Sequence, residues 1–319
     1  MVNLTYGILG TGALGGFYGA KLQKSGLPVH FLVLSDYQHI VEHGLIIESI
    51  DGNFTLPKIN AYTDVDKKMP RCDVVIIAMK TTQNYQLPQI LTSLVKDDGV
   101  VLVLQNGLGM ETEVAKIVGN ERVVGGLSFL TANKIAPGYI RHLSYKNIIL
   151  GGFAANYQLV EINTRMQQIA RDFENAGIPI ELTTDLLLAR WKKLVWNIPY
   201  NGLSVILNAS TAELMADMYT RELVENIMNE VVLAAKVCER EIPHSFVQLM
   251  LANTAKMPAY RPSMKIDFDE FRPLEVEAIF GNPLRIMSTF DVHVSQKFPL
   301  INCLYQQLKF LDAKNRDRT

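Results

Sequence analysis

The sequence carries only three cysteines in 319 residues, Cys72, Cys238 and Cys303. They are too few and too scattered for a disulfide framework, and none stands in C-x-x-C spacing. They read as core or half-buried thiols. Long hydrophobic runs are also missing. The longest are like residues 74–79, far short of the roughly 20 residues that span a bilayer. Nor is there a surplus of either charge: 31 Lys and Arg nearly cancel 32 Asp and Glu, for a formal net charge of −1. Nucleic acid as the main partner would normally need a basic surplus. A local site for a small anion stays open. Residues 1–6 lack the charged and apolar regions of a signal peptide. The expectation is a cytoplasmic protein with no membrane or nucleic-acid partner.

What is present is the composition of a globular protein. Hydrophobic residues make up 48% and charged residues 20%, enough for a full core. At roughly 150 residues per domain, the length suggests about two domains. Short apolar runs at residues 5–9, 29–34, 73–79 and 100–104 alternate with helix-length segments, and residues 122–127 and 147–150 look like two more strands. Continuous apolar strands between helices indicate a parallel sheet buried on both faces. Asp51-Gly52 marks a hairpin between residues 45–47 and 54–56. After about residue 155 helical periodicity takes over, as in Leu223, Val224, Ile227, Met228, Val231, Val232, Ala235 and Cys238. The expected organisation is α/β over residues 1–160 and all-α over residues 161–319.

The first strand runs into Gly10-Thr11-Gly12-Ala13-Leu14-Gly15, which fits G-x-G-x-x-G. Gly10 permits the tight strand-to-helix turn, Gly12 lets a pyrophosphate approach the backbone, and Gly15 lets the helix pack on the strand. The phosphates would lie at a helix N-terminus, where free N–H groups and the helix dipole favour anions. The motif opens a βαβ unit, the context that dinucleotide binding requires. The second strand ends Val33-Leu34-Ser35-Asp36. Asp36 could bind a ribose 2′-hydroxyl, which suits NAD, or cap the next helix. The cap reading is marginally preferred, and the choice of nucleotide stays open.

Lys193, Asn197 and Asn201 stand at i, i+4 and i+8 in a segment otherwise rich in Leu, Val, Trp and Ile. On a helix they form one polar stripe. Buried without partners these groups would cost free energy, so they mark either a functional site or an ordinary exposed face. Pro199 lies inside the segment and should kink it or free a carbonyl. His39 and His43 stand i, i+4, but no third ligand is evident, and no metal is expected.

Taken together, these features resemble the ketopantoate reductases (2-dehydropantoate 2-reductases). The resemblance runs through nearly the whole chain. It rests on the glycine turn, Lys80 after the third strand, Gln105-Asn106-Gly107 and Ala132. It continues in Pro137-Gly138-Tyr139-Ile140-Arg141-His142, Trp191-Lys192-Lys193-Leu194 with Asn197 and Asn201, and Pro262-Ser263-Met264 with Asp267 and Glu275. It implies a Rossmann-type domain joined to a helical domain, with the active site in the cleft between them. It also implies NADPH-dependent reduction of 2-dehydropantoate to pantoate, a step of pantothenate biosynthesis.

By the same resemblance Lys193 matches the catalytic lysine, which protonates the carbonyl oxygen as hydride reaches the carbon. Asn106, Asn197, Asn201 and Ser263 match substrate-binding positions. Lys80, Asn106, Ala132 and Glu275 match positions near the cofactor, beside Gly10, Thr11, Gly12, Ala13, Leu14 and Gly15. A lysine ammonium suits the chemistry, since it stabilises a forming alkoxide and delivers a proton. Glu275 could pair with Lys193 and keep it protonated.

Two departures stand out. Leu34 occupies a position where many members carry arginine, which removes the obvious 2′-phosphate ligand. NADP stays favoured, with Ser35 or a residue elsewhere as substitute, and NAD is not excluded. Thr211 stands where some members carry asparagine, which bears on the choice of 2-oxo acid. The alternatives are a reductase of another small branched 2-oxo acid and a non-catalytic dinucleotide sensor. Lys193, Asn106 and Glu275 together count against a sensor, which needs no proton donor. A homodimeric assembly is compatible with these features.

Overall fold

A computed structural model describes residues 3–33, 35–63, 69–290 and 293–316. Leu34 lies outside the described residues. The chain divides into two compact units. The first comprises Met1–Gln105 and Met110–Leu186, and the second comprises Asn106–Gly109 and Leu187–Thr319.

The first unit is built on a ten-stranded sheet. Its first elements are β1 (Tyr6–Leu9), α1 (Ala13–Lys24), β2 (Val29–Leu32), α2 (Tyr37–His43), β3 (Leu45–Ser49), β4 (Phe54–Leu56), β5 (Asn60–Tyr62) and β6 (Cys72–Ile77). There follow α3 (Leu87–Leu94), β7 (Val95–Val103), α4 (Met110–Val118), β8 (Val123–Ala136), β9 (Tyr139–Gly152), α5 (Thr164–Asn175) and β10 (Ile180–Thr183). In space the strands run β4-β3-β9-β8-β7-β6-β1-β2-β5, with β10 paired to β9. From β8 through β5 every pairing is parallel. β1 is wholly buried and β6 nearly so, as expected for strands covered on both faces. The chain leaves β1 toward β2 on one side and later returns to β6 on the other. That switch in direction is where open α/β sheets bind ligands, at the carboxyl ends of the strands.

The expected hairpin is present. β3 and β4 pair antiparallel, Leu45 with Leu56 and Ile47 with Phe54, and Gly52 takes the positive φ of +107° that the turn needs. Two expectations change. The short strands expected at 122–127 and 147–150 are ends of two 14-residue strands, β8 and β9, paired antiparallel. Their outer halves mix polar and apolar residues and are partly exposed, so they lack the continuous apolar run of a buried strand. The boundary expected at residue 160 also moves. Residues 161–186 form α5 and β10 and belong with the sheet: β10 adds a parallel strand to β9, and α5 buries Met166, Ile169, Ala170 and Phe173.

The second unit has no strand among the described residues. Its elements are α6 (Leu186–Ile206, entered at Leu187), α7 (Thr211–Ala216), α8 (Met218–Val237), α9 (His244–Lys256) and α10 (Ser263–Asp269). A π-helical turn (Glu277–Gly281) runs into α11 (Asn282–Ser288), and α12 (Val294–Lys297) and α13 (Pro299–Arg316) complete it. The apolar repeat read in the sequence is the buried face of α8, including Val224, Ile227, Met228, Val231 and Ala235. Trp191, Tyr200, Phe280 and Phe298 are fully buried. No helix among the described residues is long and apolar enough to cross a membrane.

Candidate active site

The three motif glycines do different work. Gly10 has φ +95°, and a Cβ there would lie 2.8 Å from the backbone of Met79. The residue after Met79 is Lys80, so this contact holds the half-buried lysine beside the turn. A Cβ on Gly15 would lie 2.1 Å from the Gly10 carbonyl oxygen, so Gly15 allows α1 to sit directly on the turn. Gly12 is the opposite case. A Cβ there meets nothing within 4 Å, and Gly12 caps α1 with no side chain of its own. The space beside Gly12 at the start of α1 is open, and the residues present fit an anionic group such as a pyrophosphate. Thr11 is buried, with its hydroxyl 3.3 Å from the Leu32 carbonyl. Ala13 and Leu14 are partly accessible in the first turn. Gln105 ties the end of β7 to the Lys80 loop, donating to Met79 O and Asn84 Oδ1 at 2.9 and 2.7 Å.

The Asp36 side chain does not cap α2. Its backbone occupies the N-cap position without a side-chain capping bond. The carboxylate instead pairs with the Lys134 ammonium and accepts from Ser35 Oγ at 2.9 Å and Gly138 N at 3.4 Å. Burial works to raise its pKa, but the Lys134 and Ser35 hydrogen bonds outweigh it and hold Asp36 below its ordinary value. Lys134 lies on β8 two residues beyond the half-buried Ala132.

In the second unit no residue from Leu186 to Ile206 is exposed. The helix is largely buried all round, with Lys192 and Lys193 only partly so, and its polar stripe is not an open solvent face. Asn197 and Asn201 are 7% and 3% exposed. Asn201 donates from Nδ2 to Asn197 O at 2.9 Å and accepts at Oδ1 from Met264 N at 3.3 Å. That second bond places Asn201 beside Ser263, the first residue of α10. Thr211 secures the approach to α10, exchanging hydrogen bonds of 3.0 and 3.2 Å with the Tyr260 backbone. Pro199 lacks the N–H that would bond Val195 O within α6.

Lys193 is strongly changed by its surroundings. Burial, reinforced by the like charge of Arg190, lowers its pKa from 10.5 to about 7, against the opposing pull of the Glu275 carboxylate. Glu275 therefore acts in the expected direction but does not dominate. Arg190 is 1% exposed and was not singled out from the sequence. Its i, i+3 spacing to Lys193 is the signal that places both on one helix face. Glu275 itself is 6% exposed and stands two residues before the start of the π-helical turn. The Asn106 loop docks on that turn: Leu108 N donates to Ala278 O at 2.9 Å, and Asn282 Nδ2 donates to Leu108 O at 2.6 Å. A Cβ on Gly107 would lie 2.2 Å from Ala278 O. Single π turns of this kind concentrate at functional sites.

Lys193, Asn197, Asn201, Ser263, Glu275 and Asn106 thus all belong to the second unit, while the glycine turn, Lys80 and Ala132 belong to the first. His39 and His43 meet edge to face, 4.7 Å between ring centroids. Among the described residues no group of three or more His, Cys, Asp or Glu is placed to hold a metal ion. Cys72 and Cys238 are buried, whereas Cys303 is exposed rather than half-buried.

Residues 6–155 match the sequence profile of ketopantoate reductase PanE/ApbA, and residues 185–312 match that of its C-terminal part. The chain is 62% identical over 311 residues to a 2-dehydropantoate 2-reductase of Nostoc sp., covering 98% of this chain and 96% of the relative. Its fold is similar to that of the 2-dehydropantoate 2-reductase of Geobacter metallireducens, with a TM-score of 0.90 and 40% identity over 96% of this chain and 99% of that one. The 2-dehydropantoate 2-reductase of Methylococcus capsulatus is similar at a TM-score of 0.86 and 30% identity, covering 98% of each chain. With both halves matched in order and the full length aligned, the chain belongs to the ketopantoate reductase PanE/ApbA family.

Proposed function

We propose that this chain reduces 2-dehydropantoate to pantoate with NADPH. The observation that carries the reading is Lys193, half-buried on a core helix, whose pKa is pushed down to about 7 by desolvation and the like charge of Arg190. An ammonium so placed is poised to give up its proton near neutral pH. NADPH, when bound, supplies the hydride to the 2-oxo carbon. The chain's own residues do the rest. The first-turn N–H groups of α1 hold the pyrophosphate, with Thr11, Ala13 and Leu14 flanking it and Lys80 adding positive charge. Lys193 Nζ stabilises the developing alkoxide and protonates it. Glu275 keeps a share of Lys193 protonated against the pull of burial. Asn197 and Asn106 offer amide donors and acceptors to a carboxylate and a hydroxyl. Asn201 serves largely by fixing the start of α10, so that the Ser263 hydroxyl is presented in one place, and it keeps a second amide hydrogen for the substrate.

The test is steady-state kinetics with NADPH and NADH against a panel of branched 2-oxo acids. The highest kcat/KM is expected for 2-dehydropantoate with NADPH. A higher value for another 2-oxo acid would reassign the substrate. Tight nucleotide binding with no turnover of any acid would point to a sensor.

A further inference from the structure

We propose that Lys134, with Asp36 as its counter-charge, is the residue through which this chain tells the 2′-phosphate of NADPH from the 2′-hydroxyl of NADH. The assignment rests on the reading that the glycine turn holds a dinucleotide.

Leu34 has no donor to offer a phosphate, so a cation must come from elsewhere if one is used. The sheet register supplies it. In the β8–β9 ladder Lys134 lies opposite Ile140, and Ala132 opposite His142. Residues directly opposite in such a ladder share a face. Ile140 Cδ1 lies 2.2 Å from where a Cβ on Gly16 of α1 would be, and the His142 ring is 4.6 Å from the Phe17 ring of α1. Lys134 therefore stands on the face of the sheet that carries α1 and its N-terminal glycine turn. From there its ammonium reaches Asp36, just past the end of β2, where Rossmann-type folds bind the adenosine ribose.

The pair is set up as a reader with two opposed contacts. The Asp36 side chain is 9% exposed, whereas Lys134 reaches it from the exposed end of β8, so the pair is partly screened by solvent and its ammonium is accessible to a ligand. A 2′-phosphate is a stronger and more highly charged partner for the ammonium than one carboxylate, and Ser35 Oγ, which now donates to Asp36, is at hand as a further donor. The Asp36 carboxylate opposes a phosphate by repulsion but accepts from ribose hydroxyls. A lysine is a point charge without the two-pronged geometry of arginine. The expected result is a real but moderate preference for NADPH.

Binding, rather than turnover, isolates the contact. Calorimetric titration of the full chain with adenosine 2′,5′-bisphosphate and with AMP compares nucleotides that differ only at the 2′ position. The parent should bind the bisphosphate more tightly. Lys134→Met should weaken bisphosphate binding roughly 10- to 100-fold, the range for one charge-assisted contact, and leave AMP unchanged. Asp36→Asn should move the ratio the other way, tightening the bisphosphate relative to AMP. Lys134→Arg should retain the preference or increase it, which guards against a Lys134→Met protein that fails to fold. An unchanged ratio in folded Lys134→Met, or equal weakening of both nucleotides, would overturn the assignment and leave the lysine as a tie between β8 and α2. A parent protein that binds neither nucleotide would overturn the dinucleotide reading and the assignment with it.

Discussion

Lys193 sits where three effects meet, and their balance gives a pH signature. The proton-donating form is the ammonium. With a pKa near 7, its population falls as pH rises through neutrality, so kcat for reduction should decline by about tenfold per unit on the alkaline side. Glu275→Gln removes a carboxylate that raises that pKa, so the descending limb should move to lower pH; a limb that stays in place would show that Glu275 does not act on Lys193. Lys193→Ala should lower kcat by ~10²–10⁴-fold at saturating NADPH with little change in nucleotide affinity. Lys192 is the control. It points about 100° away on the helix, with its ammonium 5.9 Å from the Phe246 ring centroid, and Lys192→Ala should be mild. Equal damage from both would assign the effect to folding or general charge. The lysine and both asparagines were legible as a stripe at four-residue spacing. Arg190 was not, because a charged residue outside that spacing offers no reason to expect burial.

Among the elements, the glycine turn separates binding from packing. Gly12→Val places a side chain in the open space before α1 and should abolish NADPH binding in fluorescence titration while the melting temperature holds. Gly15→Ala should instead lower the melting temperature, because its Cβ would meet the Gly10 carbonyl at 2.1 Å. If Gly12→Val bound NADPH as the parent does, the turn would not be the pyrophosphate site. The motif made this turn readable from sequence, since its chemistry is local. Two other elements were less readable for the opposite reason. The stripe on α6 left open whether its polar side faced water, and only tertiary packing answers that. Asp36 looked like a cap because aspartate before a helix so often is one, yet its partner, Lys134, comes from a strand nearly a hundred residues later.

Across the whole chain, the α/β-then-helical order is legible in the sequence, but the division falls after Leu186 and not at the expected residue 160. Character changed there from apolar runs to polar helix, and α5 has that polar character on its outer side. What settles membership is the pairing of β10 with β9, a long-range contact without a local mark. The four residues Asn106–Gly109 are harder still to foresee, because they interrupt the first unit and belong to the second. A fragment of residues 187–319 lacks them, and the Ala278 carbonyl and Asn282 amide lose partners at 2.9 and 2.6 Å. By circular dichroism it should melt well below the intact chain, and a fragment as stable as its parent would show the loop to be dispensable. The inserted loop also bears on descent. Recombination that swapped the C-terminal half between genes would seat a resident loop on a foreign π turn, so the two parts of this enzyme are heritable as a pair and not as interchangeable modules.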